Sequence, residues 1–229
     1  MANERVFLIT GASTGIGAAT ARAAANAGYR VALAARSEDK LRALADELGG
    51  DERALALRCD VTSWEDQESM VATVLDAFGR IDVAFANAGF GAQRGFENET
   101  PEFWREMVMT NVLGVAYTIR ATLPSMRDST GHYLITSSVA GRRPLQGSLY
   151  SASKFAVTAM GESLRQDLNG TGVRVTVIEP GMVDTPFFDN RPTAALEAAD
   201  VAGAVMYAVS QPPRVDVNEV LIRPTAQES

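Results

Sequence analysis

Tyr150 and Lys154 stand four residues apart in the run Tyr-Ser-Ala-Ser-Lys. On a helix that spacing puts a phenol and an ammonium on one face, so both point into the same space. The pairing makes chemical sense for proton transfer. A phenol with a pKa of ~10 is poorly matched to work near neutrality, and an adjacent cation stabilises its phenolate. Lowering it by about two to three units needs roughly 3–4 kcal/mol of differential stabilisation, the order that a desolvated cationic neighbourhood supplies. Alone, the pair fits a wet helix face equally well, and its reading depends on what the rest of the chain places around it.

A second chemical feature lies near the start of the chain. The run Thr10-Gly11-Ala12-Ser13-Thr14-Gly15-Ile16-Gly17 follows the apolar stretch Val6-Phe7-Leu8-Ile9 and leads into an alanine-rich segment. In a strand–turn–helix setting, glycines permit a tight turn, and the helix N-terminus offers unpaired N–H groups to a pyrophosphate. Dinucleotide sites place an acidic residue about 20 residues further on when they bind the ribose of NAD, whereas an arginine there suits a 2′-phosphate. This chain has Ala35 and Arg36 at that point. No carboxylate is present to repel a phosphate, and Arg36 is placed to grip one with a charge-assisted hydrogen bond.

The elements that must position these groups are legible from periodicity. Residues 5–10, 30–35, 54–60, 83–86, 132–137 and 174–179 read as short strands, with a last one at 219–222 closing an edge. Helical spacing marks 18–27, 38–48, 64–78, 101–126, 151–168 and 198–209. Strand and helix alternating over the whole length predict an α/β fold, a mostly parallel doubly wound sheet flanked by helices. With no repeat, linker or low-complexity tract, residues 1–229 are read as a single domain. The tail 226–229 is expected to fray.

The glycine spacing Gly-x-x-x-Gly-x-Gly, with Tyr-x-x-x-Lys downstream, resembles the classical short-chain dehydrogenase/reductase family, and further marks follow in the same order from residue 10 to residue 185. The resemblance implies a Rossmann-type fold over nearly the whole chain. It also implies NADP(H) as cofactor, since Arg36 follows the second strand, and hydride exchange between that cofactor and a carbonyl or secondary alcohol. Tyr150 would be the proton donor or acceptor, with Lys154 lowering its pKa and binding the nicotinamide ribose. Ser138 would polarise the substrate carbonyl; Ser137 is the alternative, because the twelve residues from Ser138 to Tyr150 are one fewer than the commonest family spacing. Asn111 would hold a water linking the lysine to solvent. Gly11, Ser13, Thr14, Gly15, Ile16 and Gly17 would cradle the phosphates, Asp60 and Val61 would contact the adenine, and Asn87, Ala88 and Gly89 would approach the adenosine ribose. Pro180, Gly181, Val183 and Thr185 would lie beside the nicotinamide. In the family motif the position of Ala86 is an asparagine, so one side-chain hydrogen-bonding group is absent here.

The remaining features bound the function. A net charge of −7 argues against nucleic acid and against an anionic membrane surface, leaving a small-molecule carbonyl or alcohol as the expected partner. No run approaches the ~18 apolar residues of a membrane span, and no basic segment followed by an apolar one opens the chain, so a cytoplasmic location is expected. Cys59, the single cysteine, reads as a small core residue, His132 as structural, and no metal is expected. Specificity is expected in loops 90–96, 141–149 and 186–192, through Phe90, Phe96, Leu145, Met182, Phe187 and Phe188, with Arg94, Arg142 and Arg143 as cations able to attract an acidic substrate. The last loop is short for the family, which implies an open site. A homodimer or homotetramer is implied through the helices at 101–126 and 151–168, where Trp104, Met107, Phe155, Val157 and Met160 exceed the needs of one face. An NAD-dependent dehydrogenase of the same fold and a non-catalytic nucleotide sensor are the competing readings.

Overall fold

A computed structural model describes residues 4–187 and 192–227. Seven parallel strands form one sheet in the order β3-β2-β1-β4-β5-β6-β9. They are β1 (Val6–Thr10), β2 (Arg30–Ala35), β3 (Ala54–Arg58), β4 (Val83–Ala86), β5 (His132–Thr136), β6 (Arg174–Pro180) and β9 (Glu219–Ile222). A two-residue ribbon pairs β7 (Val183–Asp184) with β8 (Leu196–Glu197). Strands buried on both faces lose the polar alternation of an exposed sheet, and Val6-Phe7-Leu8-Ile9 and Val31 to Ala35 are buried throughout.

The pleat still divides the side chains between two cores. Phe7, Ile9, Val31 and Leu33 pack with α1 (Gly15–Asn26), α2 (Glu38–Glu47) and α7 (Ala198–Ser210). Val6, Leu8, Ala32 and Ala34 point the other way, to α3 (Trp64–Phe78), α5 (Gly114–Ser129) and α6 (Leu149–Asp167). The strand order reverses between β1 and β4, opening a crevice beyond their carboxyl ends where such sheets bind ligands.

Two expectations are corrected. The helix expected at 101–126 is broken: α4 (Pro101–Val108) passes into a π-turn over Met109–Leu113 before α5 begins. A π-turn inserts a residue into the helical ladder and frequently marks a functional position; here it carries Asn111. Secondly, Met107 and Val157 are fully buried within the protomer, whereas Phe155 remains 41% exposed. Of the tail 226–229, residues 226 and 227 are described, and the Gln227 N–H donates to the Pro224 carbonyl at 3.0 Å.

Candidate active site

The crevice is a cleft of about 720 Å³ running from the end of β2 across β1 and β4 to the ends of β5 and β6. At its near end, Gly11 and Gly15 adopt φ of +66° and +55°, conformations that disfavour any side chain. A Cβ on Gly11 would lie 2.8 Å from the Ala88 Cα, so the two loops approach to backbone contact. A Cβ on Gly17 would lie 2.3 Å from the Gly11 carbonyl oxygen, making Gly17 a packing residue behind the cleft wall rather than part of it. Thr14 precedes α1 without capping it through its side chain, and no acidic residue occupies the first turn. The helix N-terminus therefore keeps its N–H donors and positive end for an anion, which fits a pyrophosphate. Thr185 closes over this turn, its Cβ 3.2 Å from where a Gly15 side chain would begin.

The base of the cleft is fixed by a ladder of side-chain hydrogen bonds between strand ends. The Thr10 hydroxyl donates to the Phe85 carbonyl at 3.3 Å and accepts the Asn87 N–H at 3.0 Å. Asn87 Nδ2 donates to the Thr10 carbonyl at 3.1 Å, and its Oδ1 accepts from Thr136 Oγ1 at 3.1 Å. Asn87 thus ties β1, β4 and β5 together while lining the cleft with Ala88 and Gly89. Arg36 stands exposed at the lip and forms no ion pair among the described residues. Asp60 and Val61 lie on the same wall. Burial pushes the Asp60 carboxyl up, but two hydrogen bonds from Thr62 and the charge of Arg36 bring it below the usual carboxylate range.

The far wall gathers the ionisable pair Tyr150 and Lys154. Ser148 caps α6 by accepting the Ser151 N–H at 3.2 Å, and the first turns of that helix carry Tyr150 and Lys154 into the cleft. The Lys154 ammonium donates to the Thr136 carbonyl at 2.9 Å and lies 5.6 Å from the Tyr150 ring centroid. Burial pushes the Tyr150 hydroxyl up to about 12, opposed by a hydrogen bond with Ser138. Burial lowers Lys154 to about 8. Desolvation of the phenolate is the largest influence on Tyr150, while the Lys154 ammonium is held by the Thr136 carbonyl.

The two serines at the end of β5 separate cleanly. Ser137 Oγ is buried between the Lys154 carbonyl at 3.0 Å and Thr158 Oγ1 at 2.7 Å. Ser138 Oγ accepts the Ala140 N–H at 3.1 Å and reaches the Pro180 carbonyl at 3.4 Å, beside Tyr150. Asn111 is fully buried behind the wall. Its Oδ1 accepts the Phe90 N–H at 3.0 Å, while Nδ2 donates to the Phe90 carbonyl at 2.9 Å and to Ser153 Oγ at 3.2 Å. All sequence-predicted site residues except Gly17 and Asn111 line the cleft.

The substrate end is walled by Phe90, Leu145, Met182 and Phe187. The Phe187 and Tyr150 rings meet edge to face at 5.7 Å. Phe96 instead packs on Trp104 at 5.8 Å and is largely exposed; Phe188 lies outside the described residues. Arg94 lines the cleft, but Arg142 is not available to a substrate. Its Nε donates to both oxygens of Glu179 at 2.8 Å, and its guanidinium also pairs with Glu219. Arg143 is exposed and outside the cleft lining. His132 is buried at the opposite end of β5, held neutral by burial with its pKa down to about 3, and bonded to Thr176 Oγ1 at 2.7 Å.

Sequence reasoning missed Thr10, Ser37, Cys59, Thr110 and Gln227. The last four line the cleft, while Thr10 braces its floor. Only Thr10 carries a local signal, as the hydroxyl residue ending the first strand just before the glycine turn. Cys59 is a cleft-wall residue as well as a core one, its thiol pushed up to about 12 by burial. Among the described residues no cluster of three or more His, Cys, Asp or Glu could hold a metal ion, and no helix is long and apolar enough to cross a membrane.

Comparison with known proteins gives a consistent picture. The profile of the family described as short chain dehydrogenase matches residues 5–195. An uncharacterised oxidoreductase of Staphylococcus haemolyticus is 39% identical over 227 residues, covering 97% of this chain and 98% of its own. An alcohol dehydrogenase from the archaeon Thermococcus sibiricus, solved with 5-hydroxy-NADP, superposes with a TM-score of 0.92 at 34% identity over 99% of both chains. The closed form of a serine dehydrogenase complexed with NADP+ gives 0.91 at 32% identity, over 98% of this chain and 96% of the other.

Proposed function

Because this chain belongs to the short-chain dehydrogenase family, we propose that it is an NADP(H)-dependent oxidoreductase interconverting a carbonyl compound and its secondary or primary alcohol. The observation that carries the reading is the convergence of Ser138, Tyr150 and Lys154 on one wall of a cleft whose other end is a glycine-walled helix N-terminus. When bound, the nicotinamide supplies the hydride for reduction and accepts it in oxidation.

The chain's own groups handle orientation and the proton. Ser138 Oγ donates a hydrogen bond to the substrate oxygen, and Tyr150 delivers its proton to the same oxygen. A hydroxyl pushed up to about 12 is protonated at neutrality and so holds the proton that reduction requires. Lys154, near 8, keeps its charge below that pH and stabilises the phenolate as the proton leaves. Asn111 fixes the Phe90 main chain and, through Ser153, the first turn of α6. Both Nδ2 hydrogens of Asn111 are thus engaged within the protein.

NADP over NAD rests on Arg36, a cation at the lip where β2 ends in Ala35 rather than in a carboxylate; two solved neighbours hold NADP or a derivative. The apolar wall fits a medium-sized hydrophobic carbonyl compound, with Arg94 adding one cation beside it. Exposed Val108, Leu113 and Phe155 on the α4–α6 side supply an apolar face for a homo-oligomer. The test is fluorescence titration with NADPH and NADH. NADPH binding should weaken about ten- to a hundredfold in Arg36→Ala, the loss expected of a charge-assisted contact, with NADH unchanged. Equal or better NADH binding by the wild type refutes the NADP assignment, and no turnover of any aldehyde or ketone refutes the enzymatic reading.

A further inference from the structure

The Pro180-Gly181-Met182 turn ends β6 and forms the cleft wall between Ser138 and Phe187. Its peptide groups are held from four directions. The Pro180 carbonyl accepts from Ser138 Oγ at 3.4 Å. The Gly181 N–H donates to the Ile222 carbonyl at 2.7 Å, and the Met182 carbonyl accepts the Leu196 N–H at 2.9 Å. The Met182 N–H donates to the side-chain oxygen of Gln227 at 2.9 Å, a contact spanning 45 residues of chain. Two of the four ties thus come from the end of the chain.

That end is shaped for the contact. β9 delivers Ile222 beside Pro180 in register. The chain then turns at the buried Pro224, and the Gln227 N–H closes the turn on the Pro224 carbonyl. Gly181 leaves the room: a Cβ there would lie 2.2 Å from Gln227 Oε1 and 3.0 Å from Arg223 Cγ. Gln227 also lines the cleft itself.

We propose that residues 222–227 clamp the Gly181-Met182 turn, and that Gln227 is a positioning residue for the nicotinamide and carbonyl end of the cleft. It fixes Met182 and, through it, the main chain of Val183. This inference rests on the dehydrogenase reading above. Removing the acceptor lets the turn move relative to Ser138, and misplacement of that wall degrades hydride-transfer geometry more than it degrades overall nucleotide affinity.

The experiment uses the full-length protein and its Gln227→Ala and Gln227→Glu variants. Affinity for adenosine 2′,5′-bisphosphate reports the far end of the cleft, NADPH fluorescence reports the whole cofactor, and reduction of a small neutral aldehyde reports kcat and KM. Gln227→Ala should leave the bisphosphate affinity within twofold and lower kcat about five- to tenfold, the size of one hydrogen bond. Gln227→Glu keeps an acceptor oxygen and should recover kcat to within about twofold. Wild-type kcat in Gln227→Ala overturns the inference while leaving the dehydrogenase reading intact. So does an equal loss at the bisphosphate end, or a Gln227→Glu variant no better than Gln227→Ala. A wild-type protein that binds neither dinucleotide overturns both.

Discussion

Replacing Arg142 by alanine removes the strongest partner of a fully buried carboxylate. Glu179 has no exposed surface, and its oxygens are met by Arg142 Nε at 2.8 Å and by Thr158 Oγ1 at 3.2 Å. Breaking a wholly buried pair costs ~3–5 kcal/mol, because the remaining charge loses its compensation. The Arg142 side chain is 38% exposed, so solvent screens part of the attraction and about 2–4 kcal/mol is the working figure. Its second partner, Glu219, is 44% exposed and adds little. For a chain of this size the loss corresponds to a melting point lower by roughly 5–15 °C.

The pH dependence makes the argument specific. Burial already raises the Glu179 carboxyl above its ordinary value, with Arg142 pulling it back down. A carboxyl raised by folding destabilises the native state as pH climbs above its unfolded pKa, and removing the arginine widens that window upward. Arg142→Ala should therefore lose markedly more stability at pH 8 than at pH 5, measured by urea denaturation at each. Arg142→Ala combined with Glu179→Gln should regain most of the loss, since an amide still accepts from Thr158 without a charge to bury. A loss under about 1 kcal/mol that is the same at both pH values would refute the reasoning. KM for acidic and neutral substrates should shift together, because the guanidinium faces Glu179 and not the substrate.

Tyr150→Phe removes the proposed proton donor while keeping the ring against Phe187, and should lower kcat by about 10²–10⁴ with NADPH affinity within threefold by titration. Reductive kcat/KM should be level at neutral pH and fall as pH rises through about 8, where Lys154 loses its charge, whereas Tyr150 stays protonated. In Lys154→Arg, whose cation does not titrate in this range, that descending limb should disappear from the pH–rate profile even if the rate is lower.

Most of the sheet was legible because burial on both faces writes itself as continuous apolar runs between turn residues. The glycine turn and the Tyr150–Lys154 pair were legible because their spacings are short and local. Three features were hidden for the opposite reason. The apolar rhythm of 101–126 reads as one helix, with the interior Asn111 as its one sign of a local kink; the π-turn itself goes with a long-range demand on that side chain, bonded to Phe90 across 21 residues. Arg142 looks like a solvated loop arginine until β6 brings Glu179 to it from 37 residues away. Met107 and Val157 look surplus to one face until two helices are packed, when both fall into the interior.

The cleft separates what must be rigid from what sets specificity. Its floor and proton-handling wall sit on strand ends and the first turns of α6, tied by Thr10, Asn87, Thr136 and Lys154. A group held from several directions keeps its geometry when a neighbour changes, as the proposed proton and hydride transfer would require. The substrate end is built on loops, yet two of them are joined: the Gly95 N–H donates to the Gly147 carbonyl at 2.8 Å. Gly147 has φ of +59°, and a Cβ on it would lie 2.8 Å from the Gly95 nitrogen. The loops carrying Phe90 and Arg94 on one side and Leu145 on the other are thereby coupled across a backbone contact that admits only glycine. Side-chain changes at Phe90, Arg94 or Leu145 should therefore alter substrate preference at little cost to the proton-handling wall, whereas a side chain at Gly147 would displace both loops at once.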